Sequence, residues 1–355
     1  MQGSRRSIGL ALAAAVLFGA SAPFAKLLLT DAAPQLLAGL LYLGSGIGLG
    51  IVWLRARRSA EVARETPLTR RDIPWLIGAI VFGGALGPLL LMIGLTRTPA
   101  SAASLLLNLE GVFTALLAWF VFHENFDRRI ALGILAIVAG GIALSWEGRV
   151  SWGGMLGPLA VTAACFCWAI DNNLTQKVSA GDPVQITMIK GLVAGGINTA
   201  IAFLLGASWP SAPGIAAALV LGFLSYGVSL VFFVLALRNL GTARTGAYFS
   251  TAPFVGALLS LAIFRERPTT LLVVAAGLMA LGVWLHLTER HVHEHRHENM
   301  EHDHAHVHDD HHQHVHAADD PPVTDPTPHT HRHGHEPMVH SHVHYPDIHH
   351  RHPHD

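Results

Sequence analysis

The sequence predicts an all-α membrane protein of about ten transmembrane helices in two inverted five-helix repeats, followed by a disordered His-rich C-terminal tail. Three observations carry this expectation. The 355 residues have a mean hydropathy of +0.41 and only 13% charged side chains, more apolar than a soluble chain of this size needs for its core. The stretch 98–125 returns 142 positions later, with Phe122-His123-Glu124 falling over Phe264-Arg265-Glu266 and Gly140 over Gly282. After Glu289-Arg290 the composition changes at once to alternating histidine.

A period of this length is far too long for a solenoid and marks two fused halves. The expected divisions are 1–148, 149–290 and a tail over 291–355. The net charge of −1 hides a split: the tail holds twelve Asp/Glu against three Arg, which leaves the body at about +8 with histidine neutral. Cys165 and Cys167 are two residues apart inside an apolar run, where a disulfide would be strained; both are expected to be small apolar filler.

Ten apolar segments follow in order, near 8–29, 34–54, 74–95, 99–121, 129–146, 154–176, 184–206, 213–236, 243–264 and 269–287. Backbone polar groups cannot stay unpaired in hydrocarbon, so segments of this length must be helices. Arg5-Arg6 ahead of Ala20-Ser21-Ala22 imitates a cleavable signal, but the apolar run continues past Pro23 and further spans follow. Arg55, Arg57, Arg58, Arg64, Arg70 and Arg71 crowd the loop after the second span, and Arg5, Arg6, Arg128 and Arg129 share its side. Basic loops stay in the cytoplasm, which puts both termini inside a plasma (inner) membrane; Arg265 and Arg267 lie on the opposite side. Five spans per half is odd, so the second half enters upside down, as in secondary transporters.

Candidate pathway residues come from small and charged side chains within the spans. Ser104, Asn108, Gly111 and Ala115 recur on one stripe of span four, with Gly246, Ser250, Pro253 and Ala257 as their copies; the alternative is a helix-packing face. Pro23 and Pro253 each free a carbonyl in mid-membrane. Glu110 is the strongest single candidate, as a proton carrier or the partner of a cationic substrate, against a structural ion pair or a neutral buried acid. Asp171 and Lys190 fall in the same half of the membrane, where pairing with each other is one account; Lys26 can reach the interface by snorkelling. Glu124 and Glu266 suggest a structural job such as meeting Arg128 and Arg267, and packing accounts for Phe18 and Trp168.

Ten spans in two halves, the aromatic-x-Glu endings at Phe122 to Glu124 and Phe264 to Glu266, Phe18-Gly19 with Lys26, and Gly140-Gly141 resemble the EamA branch of the drug/metabolite transporter superfamily, over about residues 8–288. The resemblance implies secondary transport, often export, of small metabolites such as amino acids through a central cavity. It implies no substrate, and Glu110 and the tail are not part of its pattern.

In the tail, His291, His293, His295 and His297 alternate, followed by His302, His304, His306 and His308, then His311, His312, His314 and His316. A proline-rich break precedes His329, His331, His333 and His335, and a last group runs from His340 to His354. Such a tract buries no core. Its imidazoles and carboxylates suit Zn, Ni, Co or Cu(II), and metal competes there with protons. No cofactor is required. The expected partners are the lipid bilayer, a small-molecule substrate, divalent metal ions on the tail and, as an open alternative, a second copy in a homodimer; nucleic acid is not among them. Three functions remain open: a metabolite exporter with a metal-responsive tail, a Zn/Ni/Co exporter whose tail collects the cargo, and a membrane-anchored metal sensor or buffer. An enzyme is not expected, because no nucleophile–base pair assembles on the spans.

Overall fold

The computed structural model describes residues 2–58, 68–122, 128–145, 152–178, 181–287, 292–296, 300–306, 329–335 and 339–343. Its body is helical throughout. The first half contains α1 (Gln2–Gly19), α2 (Ser21–Leu28), α3 (Pro34–Arg58), α4 (Ile73–Ala79), α5 (Gly87–Arg97), α6 (Ala100–Leu106), α7 (Leu109–Phe122) and α8 (Arg128–Ser145). The second contains α9 (Trp152–Val178), α10 (Pro183–Leu204), α11 (Ala212–Gly222), α12 (Ser229–Phe249), α13 (Ala252–Phe264) and α14 (Thr270–Leu287). Two wider π-helical turns, Ile80–Leu86 and Phe223–Val228, join α4 to α5 and α11 to α12 at equivalent places in the repeat.

Among the described residues six helical segments are long and apolar enough to cross a membrane: Ser7–Leu28, Pro34–Arg55, Ile73–Arg97, Gly154–Thr175, Pro183–Leu204 and Ala212–Ala236. Ala131–Leu144, Ala252–Phe264 and Thr270–Leu285 are shorter apolar helices. The protein is therefore a multi-pass membrane protein. Leu135, Leu258, Val273 and Trp284 lie exposed on the outside, as lipid-facing side chains must, while Leu36, Leu37, Leu41, Leu91, Met92, Leu95 and Leu105 are fully enclosed.

The expected fourth span is not one continuous helix. It breaks between α6 and α7, where Leu107, Asn108 and Glu110 make i→i−3 backbone bonds to Ser104, Leu105 and Leu107. Asn108 Nδ2 also donates to Leu105 O at 2.9 Å, and such local bonding competes with the helical ladder. The second copy breaks at the matching place: Thr251 N bonds Tyr248 O, Thr251 Oγ1 donates to the same carbonyl at 2.6 Å, and Pro253 opens α13. Ser104, Asn108 and Gly111 consequently do not share the single straight stripe expected of them. The surroundings of Ala115 and Gly246 are not among those described.

The helices pack reciprocally between the halves. Counted in order within each half, the second spans pair (α3 with α10), as do the fourth (α6 with α13) and the fifth (α8 with α14). The first of each half packs on the third of the other, α1 on α12 and α9 on α5. Glycine permits the closest of these crossings. A Cβ on Gly191 would fall 2.5 Å from Gly46 N, and one on Gly282 would fall 2.6 Å from Gly133 O, so only a hydrogen fits there.

Within the tail, β1 (Val292–Arg296) pairs antiparallel with β4 (Val339–Val343), and β2 (Met300–His306) with β3 (His329–His335). This differs from the irregular tail expected from composition, and the His-x-His alternation, with the two-residue period of a strand, accounts for it. His293, His295, His302, His304, His306, His329, His331, His333 and His335 stand in these strands. His291, His297, His308, His311, His312, His314 and His316 lie outside the described residues.

Candidate functional site

Span three and its π-helical turn organise the centre of the molecule. Within that turn Gly87 N bonds Phe82 O, five residues back, and Pro88 has no N–H to offer. Gly83 O is thus left without a backbone donor. It accepts instead from Tyr42 Oη at 2.7 Å and Trp168 Nε1 at 3.0 Å, which ties α3 and α9 to the turn. The next two carbonyls, Gly84 O and Ala85 O, accept from Asn198 Nδ2 at 3.2 and 3.4 Å, and Asn198 Oδ1 accepts from Gln35. Irregular backbone at membrane depth survives because protein donors surround it.

Aromatic rings gather around this turn. Phe18 meets Trp168 and Tyr226 edge-on, with centroids 6.1 and 5.9 Å away, and Phe249 at 5.3 Å. Tyr42 lies 5.4 Å from Tyr226. The cluster therefore takes residues from α1, α3, α9, the second π-helical turn and α12, from both halves of the chain.

Two acidic groups adjoin it, in different circumstances. Asp171 is buried and ion-paired with Lys190 at 2.6 Å, and Thr175 donates to the same carboxylate at 2.8 Å; this pairing is the one weighed above. Glu110, in the first turn of α7, accepts from Asn172 Nδ2 at 2.7 Å and has no cation at ion-pair distance among the described residues. Its carboxylate is within electrostatic reach of Tyr42, Tyr226 and Asp171. The centre thus combines a matched charge pair with one carboxylate lacking a counter-ion.

The other candidates fall elsewhere. Ser104 is enclosed against Gly256 of the second half, and Asn108 turns toward Leu105 and Met279. Gly111 faces open space; Pro253 is buried and Ser250 half-buried. Lys26 donates to Thr98 O, at the C-terminal end of α5. Close by, Glu266 accepts from Ala100 N at 3.2 Å and from Ser101 Oγ. The second half thereby caps helix α6 of the first, which corrects the expectation that Glu266 meets loop arginines; Glu124 lies outside the described residues. Losing this cap, Glu266→Ala should cost about 1 kcal/mol in thermal unfolding of the purified chain, as helix N-caps do, whereas Arg267→Ala should change nothing measurable.

Sequence reasoning missed Tyr42, Tyr226, Phe249 and Asn172, and treated Phe18 and Trp168 as packing. One signal was available: two of the four tyrosines stand in mid-span, where a phenol needs a hydrogen-bond partner.

The EamA-like transporter family model matches residues 5–146 and again 155–288. The chain belongs to the EamA-like transporter family. Among its relatives, an uncharacterized transporter of Methanothermobacter thermautotrophicus is 29% identical over 293 residues, 77% of this chain and 84% of that protein. A Salmonella typhimurium protein named "Probable amino-acid metabolite efflux pump" is 28% identical over 192 residues, 52% of this chain and 58% of its own. One solved structure, described only as a protein crystal structure, superposes with a TM-score of 0.59 at 19% identity over 79% of this chain and 95% of that one. At that identity the likeness is one of fold alone. The EamA-like model ends at residue 288, ahead of the histidine tract.

Proposed function

We propose that this EamA-like protein is a secondary transporter that exports a small metabolite, an amino acid or related organic molecule, across the plasma membrane. Its ten spans form two inverted five-helix halves with both termini in the cytoplasm, and the reciprocal helix pairing supports this arrangement. One observation carries the functional proposal: Glu110, in the first turn of α7, is held by Asn172 of the second half and has no cation at ion-pair distance among the described residues. A carboxylate without a counter-ion in a low-dielectric surrounding attracts a proton or an ammonium group. Binding either one at the seam biases two packings of the halves differently, which is what alternating access requires.

Glu110→Gln keeps the shape and the Asn172 contact but removes the charge. Export of radiolabelled amino acids from preloaded cells should fall at least about tenfold, the scale of one charge-assisted contact. Undiminished export across a mixed amino-acid load would refute a transport role for Glu110.

The tail binds a divalent ion such as Zn, Ni, Co or Cu(II) and adjusts transport to the metal level. Organic cargo is favoured over metal cargo because Asp171, the carboxylate near Glu110, is already matched by Lys190. Removing residues 291–355 should leave amino-acid export intact and abolish its response to added Zn²⁺. A loss of metal tolerance with export unchanged would instead make metal the cargo.

A further inference from the structure

Among the described residues, Ser21 and Tyr226 are two of the buried hydroxyls that have no regular hydrogen bond. Tyr226 belongs to the second π-helical turn and is 7% exposed; Ser21, in the first turn of α2, is fully buried. The Ser21 hydroxyl lies close to that of Tyr226, and neither oxygen makes a hydrogen bond of regular geometry among the described residues. Serine in a helix usually donates to the carbonyl four residues back. For Ser21 that is Leu17 O, which already accepts from Ser225 Oγ at 2.7 Å. A phenol has no such local acceptor at all.

The donors around the first π-helical turn are engaged with other groups. Tyr42 and Trp168 serve Gly83 O, Asn198 serves Gly84 O, and Lys190 serves Asp171. Buried polar groups are almost always matched, and those left over point to a ligand that completes them. Phe18 and Tyr42 stand against the Tyr226 ring, with Trp168 and Phe249 behind Phe18, and the Glu110 carboxylate is in electrostatic reach of Tyr226.

Two free donors, an aromatic wall and one carboxylate complement a molecule with an acceptor head, an apolar body and a cationic head. We propose that Ser21 and Tyr226 anchor the carboxylate of a zwitterionic amino acid whose ammonium group faces Glu110. The proposal rests on the placement of Glu110 in the transport path argued above. The hydroxyls supply the two hydrogen bonds that a carboxylate loses on leaving water. The rings enclose the side chain, and their faces add attraction for the ammonium group. An amine without the carboxylate would leave both hydroxyls unsatisfied, so the pair selects amino acids over the corresponding amines.

The test uses the full chain in lipid nanodiscs with three probes: L-phenylalanine, phenethylamine, which lacks the carboxylate, and 3-phenylpropionate, which lacks the ammonium. Calorimetric titration should show L-phenylalanine bound most tightly. Tyr226→Phe and Ser21→Ala should each weaken L-phenylalanine about tenfold while changing phenethylamine less than about twofold. Tyr226→Phe removes one oxygen and keeps the ring contacts, so its folding is secure. The proposal is overturned if either variant weakens acid and amine equally, if L-phenylalanine binding is unchanged, or if the native chain binds none of the probes or prefers the amine. Glu110→Gln separates the two ideas: it should weaken L-phenylalanine and phenethylamine but not 3-phenylpropionate. Should it weaken none while the hydroxyl variants behave as expected, the role of Glu110 fails and the carboxylate anchor stands.

Discussion

Lys190→Ala should destabilise the solubilised protein by about 3–5 kcal/mol, the cost of stranding one member of a buried ion pair. Both partners are enclosed, the contact is 2.6 Å, and Thr175 is bonded to the same carboxylate. No other cation lies at ion-pair distance from Asp171 among the described residues. Asp171 also abuts Gly83, where even a methyl group would collide with its carboxylate, so an unpaired charge there presses on the π-helical turn that positions Tyr42 and Trp168. The double variant Asp171→Asn with Lys190→Met removes both charges and should recover most of the loss. Thermal unfolding of the three proteins side by side is the measurement. A double variant as unstable as the single one would show that the pair is not the stabilising unit.

The second large effect is steric. Gly191→Leu places side-chain atoms where α3 and α10 already touch backbone to backbone: the Cβ alone would lie 2.5 Å from Gly46 N and 2.8 Å from Tyr42 O. The helices must part, and Tyr42 withdraws from Gly83 O. We expect a loss of about 3 kcal/mol, the upper range for overpacking, together with loss of transport. Gly196→Ala on the same helix is the control. A Cβ there meets nothing within 4 Å, so alanine should stabilise by up to about 1 kcal/mol through helix propensity. Equal damage from both substitutions would mean that helix α10 tolerates no change anywhere, and the close crossing would lose its explanation.

Much of this architecture was legible in the linear chain, and the reasons differ element by element. The apolar segments could be read because span length and hydropathy are local properties. Gly140 and Gly282 could be matched because the repeat is written at a constant offset, and both stand at the α8/α14 crossing. The Asp171–Lys190 pair could be weighed because two opposite charges in one half of the membrane have a strong reason to meet. The break at Asn108 was not foreseen, since a polar residue inside an apolar run looks the same whether it bends the helix or lines a path, whereas Pro253 marked the neighbourhood of the break at Thr251. The π-helical turns were not foreseen either, although Pro88 after Gly83-Gly84 is their visible mark in the first half. Glu266 was matched with nearby arginines in sequence, whereas its partners, Ala100 and Ser101, lie some 165 positions away.

By itself, the amino-acid sequence determined that this chain lives in a bilayer, that its body is one pattern written twice, and that its tail is rich in metal-ligating side chains. These follow from composition and period, which survive without a third dimension. Only the tertiary structure decided which polar groups inside the membrane are already satisfied: Asp171 by Lys190, Gly83 O by Tyr42 and Trp168, and Glu110 by Asn172, while Ser21 and Tyr226 make no regular hydrogen bond among the described residues. The physical reason is that a hydrogen bond or an ion pair depends on ångström separations between helices far apart in the chain, and hydropathy carries no record of those distances.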